Sequence, residues 1–359
     1  MNTIQQCRAG NVHPPFSSTV KVRRKNSMRV FLRIMSQREK ESMKNRMIDL
    51  NDPVVHRFIR QLLSDKTTKK NIIFATDSYA HLGACYGAEN EISLEAVAFM
   101  DLKPRVLKSS EDQTDRTRKR AEVMSPVWLV CQMCRHIDTE WFGREDVFET
   151  MEGQKWTNTT DSIVFPEGKT WQEYVDSRRL EITCGEAPYI VSRYDTVTGQ
   201  PIDIKDRVGM LDRKLRIVNE NTSGKTEWMK WTLRAFQATY GYEFQGDNLV
   251  IARLNLMFTF LEYYEDRWHE MPGDEDIRKI VRVITWNIWQ MDGLTGMVPY
   301  TAHEENGPAQ MTFFDMGWMD EKPVIDDMIS PVVTGVECRI YDWRSNESVT
   351  YNSLKGGSR

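Results

Sequence analysis

An α/β fold built around a parallel sheet is the architecture this sequence predicts. Two observations carry the prediction. Short apolar runs at Leu180 to Gly185, Gly241 to Phe244 and Ile288 to Met291 each end beside a glycine or an acid. Amphipathic segments of helical period separate the later runs, and crossovers of that kind make neighbouring strands parallel.

The elements follow in order. Residues 1–20 hold Asn11-Val12-His13-Pro14-Pro15 and show no periodicity. From Lys21 to Leu50, charges alternate with Met, Val, Ile and Phe, the pattern of an exposed or partner-bound helix. Asp52-Pro53 reads as a helix start, with Asp as N-cap and Pro in the first turn. Val54, Val55, Phe58, Ile59, Leu62 and Leu63 follow at helical spacing until Lys66 to Lys70 break it. Asn71 to Ala75 reads as a short buried strand or a helix start. The polar, basic stretch from Asp101 to Arg120 reads as a linker. A main domain then begins near Ala121. Met210 to Asn219 is strand-like, and Val191 to Val218 is an excursion before the next strand. Trp228 to Tyr240 and Leu249 to Trp268 are helical. Ile277, Ile280, Val281 and Ile284 mark one more core-facing helix. The expected organisation is a basic arm (1–50), a mainly helical region (51–120) and a main domain (121–355).

Composition narrows the class. Of 359 residues, 40% are hydrophobic, with eleven Trp, which suffices for a real core. No run of 18 apolar residues and no apolar leader segment is present, so a cytoplasmic protein with no membrane partner is expected. Six scattered cysteines fit a reduced protein, and the Cys131/Cys134 pair has no second pair to complete a zinc site. No phosphate-loop or nucleophile-elbow motif occurs. The net charge of −4 conceals an arm with eleven Lys/Arg against three Asp/Glu in residues 1–50. A basic arm on an acidic body points to a polyanion, with nucleic acid as the default partner and a solvated basic helix as the plain alternative. Arg23, Arg24 and Lys25 in the arm, and Arg116, Arg118, Lys119 and Arg120 in the second basic cluster, are the candidate phosphate contacts.

In parallel sheets the ligand sits at the carboxyl ends of the strands, where glycine permits close approach and an acid receives ribose hydroxyls. Three places fit in order: the loop after Leu180 with Thr183, Cys184 and Gly185; Glu243 after Gly241-Tyr242; and Asp292 before Gly293.

These residues resemble the gamma-type adenine-N6 DNA methyltransferases, the modification subunits of restriction systems. The likeness covers about residues 100–355. Ala121-Glu122-Val123-Met124-Ser125-Pro126 resembles the upstream segment that lies against the methionine part of S-adenosylmethionine. Leu180 to Tyr189 resembles the cofactor loop, with Glu181 for the usual Asp and Ala187 for the second Gly. Glu243 resembles the ribose acid, Arg253-Leu254-Asn255-Leu256 the helix that follows it, and Asp292 the acid facing the adenine amine. The resemblance implies a Rossmann-like cofactor domain, with Ser125, Pro126, Thr183, Cys184, Gly185, Glu243 and Asp292 holding S-adenosylmethionine. It also implies DNA as partner.

One feature of the family is missing. Its Asn/Asp-Pro-Pro-Tyr/Phe tetrapeptide, which clamps the flipped adenine, occurs nowhere in the 359 residues; Val298-Pro299-Tyr300 keeps one proline and the aromatic. Cys338 to Arg344 resembles the segment just before the catalytic strand. The expectation is the cofactor-binding part of such an enzyme, its catalytic loop and target recognition supplied by a partner chain. The alternative is a non-catalytic relative that binds DNA or regulates a complex.

Overall fold

The computed structural model describes residues 47–120, 122–304 and 333–355. The arm residues Arg23, Arg24 and Lys25 lie outside them. Helix α1 (Pro53–Leu63) starts as its sequence dictates. The Asp52 carboxylate accepts from the Val54 N–H at 2.6 Å, Pro53 fills the first turn, and Val54, Val55, Phe58, Leu62 and Leu63 are buried. Residues 71–75 form no regular strand. They pair through isolated bridges to residues 64 and 91, and the Phe74 carbonyl accepts from the Gly246 N–H at 2.8 Å. Helices α2 (Leu94–Phe99), α3 (Ser110–Arg120) and α4 (Val127–Phe142) follow, then the hairpin β1 (Glu149–Glu152) and β2 (Lys155–Asn158).

The centre is a parallel three-stranded sheet of β3 (Arg179–Glu181), β4 (Thr239–Glu243) and β5 (Ile288–Gln290), adjacent in chain order. The mixed α/β class expected from alternation is therefore observed. Helix α5 (Trp171–Asp176) precedes β3. The crossover to β4 runs through α6 (Met210–Asn221) and α7 (Lys225–Gln237), and the crossover to β5 through α8 (Gly246–Trp268) and α9 (Asp274–Asn287). Strands β6 (His303–Glu304) and β7 (Val333–Thr334) pair, as do β8 (Arg339–Asp342) and β9 (Glu347–Thr350), before α10 (Tyr351–Lys355).

The structure corrects three expectations. Residues 210–219 are helical, not strand-like: Leu211, Leu215 and Val218 repeat at helical spacing, and the pattern is hidden because Arg213 and Lys214 are buried too. Lys214 donates to the Ser177 and Ala238 carbonyls at 2.5 and 3.1 Å, which places its charge at the carboxyl ends of α5 and α7. Residues 101–120 are no linker, because Arg116 and Lys108 are sunk into the body. The described residues form one compact unit, so 51–120 do not stand apart from the rest. Cys338 to Arg344 belongs to a local hairpin. Among the described residues no helix is long and apolar enough to cross a membrane.

Candidate functional site

The carboxyl ends of β3 and β4 open into a pocket of about 610 Å³, a volume typical of small-molecule sites. Its floor is the loop that leaves β3. Thr183, Gly185 and Ala187 all take positive φ, of 48°, 54° and 64°. Ala187 thus adopts the left-handed turn despite its methyl group, at a cost of about 1 kcal/mol. Two devices hold the loop there. The Gly185 N–H donates to Glu243 Oε2 at 2.8 Å, and Asn255 Nδ2 donates to the Glu186 carbonyl at 2.9 Å. Gly241 lets the loop approach the sheet: a Cβ there would stand 3.3 Å from the Cys184 sulfur and 3.0 Å from Ile190 Cδ1.

Ser125, Thr183, Cys184, Gly185 and Glu243, named by the sequence from three separate segments, all line this pocket. The remaining two named residues do not. Pro126 caps α4 outside the pocket wall. Asp292 lies just beyond β5, but its Oδ1 accepts from the Leu294 N–H at 2.9 Å in a tight turn. An acid after a strand is a turn-former as readily as a ligand group, and here the turn wins.

The phosphate candidates fare differently again. Arg118 is exposed on α3, and the side chains of Lys119 and Arg120 lie outside the described residues. Arg116 is 3% exposed and serves the interior. It donates to Glu122 Oε2 at 2.8 Å, Asp247 Oδ1 at 3.0 Å and Asn248 Oδ1 at 3.2 Å. Lys108 reaches the other Asp247 oxygen at 2.8 Å. These cations hold the Asp247 carboxyl well below its usual range despite its burial, in the first turn of α8.

Sequence reasoning missed three acceptors in the same wall: Glu122, Glu181 and Gln245. Glu122 Oε2 takes donors from Arg116, Gln245 and Asn248. Its Oε1 has only the Arg105 guanidinium at 2.9 Å, in poor hydrogen-bond geometry. Gln245 is 4% exposed; its Nε2 donates to Glu122 and its Oε1 has no partner. Because a carboxylate accepts only, that contact fixes which end of the amide faces the pocket wall. Glu181 Oε2 is also buried without a partner, and burial raises the Glu181 carboxyl well above the usual range. Burial likewise pushes Glu243 up to about 7, against the Gln245 and Gly185 N–H groups that pull it down.

The electrostatic character follows. Glu122, Glu181 and Glu243 line the pocket and no Lys, Arg or His does. Buried acceptors left without donors are costly, so a ligand rich in donors or carrying positive charge complements this wall. Val123, Met133, Leu180 and Ile182, all well exposed, give it an apolar rim. Burial also raises the thiols of Cys184 and Cys134, both in the pocket lining, so neither is an activated nucleophile. No protein-family model, curated protein or solved structure matches the chain.

Proposed function

We propose that the pocket binds S-adenosylmethionine and that the chain is the cofactor-binding part of a DNA adenine-N6 methyltransferase. The observation that carries this reading is the wall itself: three buried carboxylates, unpartnered acceptors and no basic side chain. A phosphorylated cofactor would meet acidic groups there and no lining side chain that carries positive charge. A nucleoside with a ribose diol, amines and a positive charge finds an acceptor for each group. The residues present therefore fit the cofactor, which when bound supplies a methyl group on cationic sulfur. A Rossmann-like arrangement of β3, β4 and β5 with the loop and acid at their carboxyl ends is part of the same proposal.

The chain's own residues have clear tasks in this reading. Glu243 accepts the two ribose hydroxyls on the lone pairs that Gly185 and Gln245 leave free. Its backbone partners fix the carboxylate before the ligand arrives, which lowers the ordering cost of binding. Asn255 and Gly241 hold the loop at the right height. Glu122, kept ionised by Arg116 despite its burial, supplies negative charge to the wall, and a cation in the pocket would draw the raised Glu181 carboxyl toward its charged form.

Transfer to adenine needs an acceptor clamp. Two fragments keep part of the family's tetrapeptide: Val298-Pro299-Tyr300, and His13-Pro14-Pro15-Phe16 with His in the polar position. Neither has the Asn or Asp side chain that would hold the adenine amine. A partner chain that docks on the apolar rim would supply that clamp and target recognition. A second reading, a non-catalytic binder of cofactor and DNA, is favoured by the same missing tetrapeptide. Calorimetry with S-adenosylmethionine, ATP and NAD separates the site's chemistry: the proposal expects the first to bind and the two phosphorylated ligands not to. Tight binding of ATP or NAD would overturn it.

A further inference from the structure

At the amino end of β5, the opposite end of the sheet from the pocket, aromatic rings and cations gather on one surface. Trp286 in the last turn of α9, Tyr341 in β8 and Trp343 just beyond it form a ladder. Ring centroids lie 5.1 Å apart for the first pair and 4.5 Å for the second. All three rings are partly exposed. The ladder is braced: Trp343 Nε1 donates to Asn287 Oδ1 at 2.8 Å and the Tyr341 hydroxyl to Asn346 Oδ1 at 2.8 Å. The Arg339 N–H donates to Thr67 Oγ1 at 2.9 Å, which ties β8 to the loop after α1.

That loop brings cations to the rings. Lys69 Nζ stands 5.6 Å from the Trp286 centroid, and the Arg282 guanidinium 6.0 Å from Trp343. Lys66 lies close by, its ammonium pKa lowered by burial and then by the charges of Arg253, Lys69 and Arg282. One acid, Asp65, stands among them; it accepts from the N–H groups of Thr67 and Thr68, and its charge acts on Lys66. Among the described residues, no carboxylate comes within ion-pair distance of Lys66, Lys69 or Arg282. Of the neighbouring cations, Arg178 pairs with Asp342, and Arg344 and Arg234 both pair with Asp176, while Arg339 donates to Ser348 and Arg253 to backbone carbonyls. Packing of the β8–β9 hairpin on α9 accounts for the rings but not for three like charges beside them set against the one carboxylate of Asp65. Like charges held together cost free energy that an anion returns.

We propose that this face binds a single-stranded polynucleotide, its bases stacking along Trp286, Tyr341 and Trp343 and its phosphates meeting Lys66, Lys69 and Arg282. The pairing of π-faces with an excess of cations selects that partner. Bases inside a duplex present only edges, whereas an unpaired strand offers both a stackable face and a phosphate chain. The site is separate from the pocket and does not depend on what the pocket holds.

Fluorescence anisotropy on the full chain with a labelled oligothymidylate of about 20 nucleotides tests this, with inorganic polyphosphate and a duplex of the same charge as competitors. The oligothymidylate is expected to bind at least about tenfold more tightly than either competitor, since stacking contributes about 1–3 kcal/mol per base. Its binding should quench tryptophan fluorescence, which polyphosphate should not. Substituting Lys69→Gln together with Arg282→Gln should make the log–log salt slope shallower by about 1.4, at about 0.7 for each phosphate no longer neutralised. Trp286→Leu, which keeps apolar bulk on α9, should weaken the oligothymidylate and leave polyphosphate unchanged. Equal affinity for polyphosphate or duplex, with no quenching, would overturn the proposal in the wild-type chain alone. So would an unchanged salt slope in a folded Lys69→Gln, Arg282→Gln variant.

Discussion

Glu243 is the residue on which the pocket's chemistry turns. Two backbone N–H groups orient its carboxylate, and burial pushes its pKa up to about 7. A hydroxyl donates well to a carboxylate and poorly to a carboxylic acid, so a ligand with a diol favours the charged form. Affinity for S-adenosylmethionine should therefore rise between about pH 5 and pH 7 and then level off, and Glu243→Gln should flatten that profile. The same substitution should weaken binding about 10- to 150-fold, the equivalent of about 1.5–3 kcal/mol. In the free protein the sign on stability is opposite: a carboxyl raised on folding contributes stability below the unfolded value, lost as pH rises through about 7. Calorimetric titrations across that range check both. Arg116 makes a contrasting prediction. Arg116→Met leaves Glu122 and Asp247 buried without their common cation and should destabilise the fold by about 3–5 kcal/mol in denaturant titrations. A surface phosphate contact would cost almost nothing. The meeting of Glu243 with the Gly185 loop was legible because adjacent strands of one parallel sheet bring their carboxyl ends together, although each acid alone is as readily a turn-former, as Asp292 shows. Arg116 was not, because its partners are 6 and 131 residues away and no local pattern announces them.

At the scale of elements, the loop after β3 shows what the sheet does for the site. Its three positive φ angles are held by contacts from β4 and α8, not by glycine alone. Gly241 is the fulcrum. Gly241→Ala would push a methyl group against Cys184 and Ile190, an overpacking cost of about 1–3 kcal/mol. Ligand affinity should fall with it, since the loop would be displaced from Glu243; an unchanged affinity in a folded variant would show that the loop is not seated by this contact. Capping is the part that the sequence declares most openly. Asp52 caps α1 as Asp-Pro predicts, and Asp52→Ala should cost about 1 kcal/mol by thermal or denaturant unfolding. Helix α6 was illegible for the converse reason. Its inner face carries Arg213 and Lys214 beside Leu211 and Leu215, so the hydrophobic period disappears although the buried period remains. The β1–β2 and β8–β9 hairpins were unread too, because their half-exposed strands carry little apolar alternation.

For the whole molecule, the three strands and the helical crossover from β4 to β5 were legible as an α/β pattern, whereas of the crossover from β3 to β4 only α7 was. How residues 51–120 join the body was not. Lys108, Arg116 and Glu122 look like a solvated stretch in one dimension and become a buried network only when α8 presents Asp247 and Asn248. That network stands behind the pocket, so residues 101–122 and the pocket wall are one construction. A matching expectation concerns activity. The isolated chain should give no N6-methyladenine on duplex DNA by mass spectrometry of digested product, because losing an acceptor clamp costs well over about 100-fold in rate. A partner carrying an Asn/Asp-Pro-Pro-aromatic loop should restore it. Methylation by this chain alone would show that one of the two partial motifs replaces the clamp.

Everything proposed for the pocket rests on an acid-lined, donor-seeking wall that selects an unphosphorylated cationic nucleoside. Isothermal titration of the intact chain with S-adenosylmethionine at near-neutral pH, beside a Glu243→Gln chain shown to be folded, tests that selection at its source. Saturable binding is expected in the first and a loss of about 10-fold or more in the second. No heat of binding at millimolar S-adenosylmethionine, or equal affinity in both chains, would refute it.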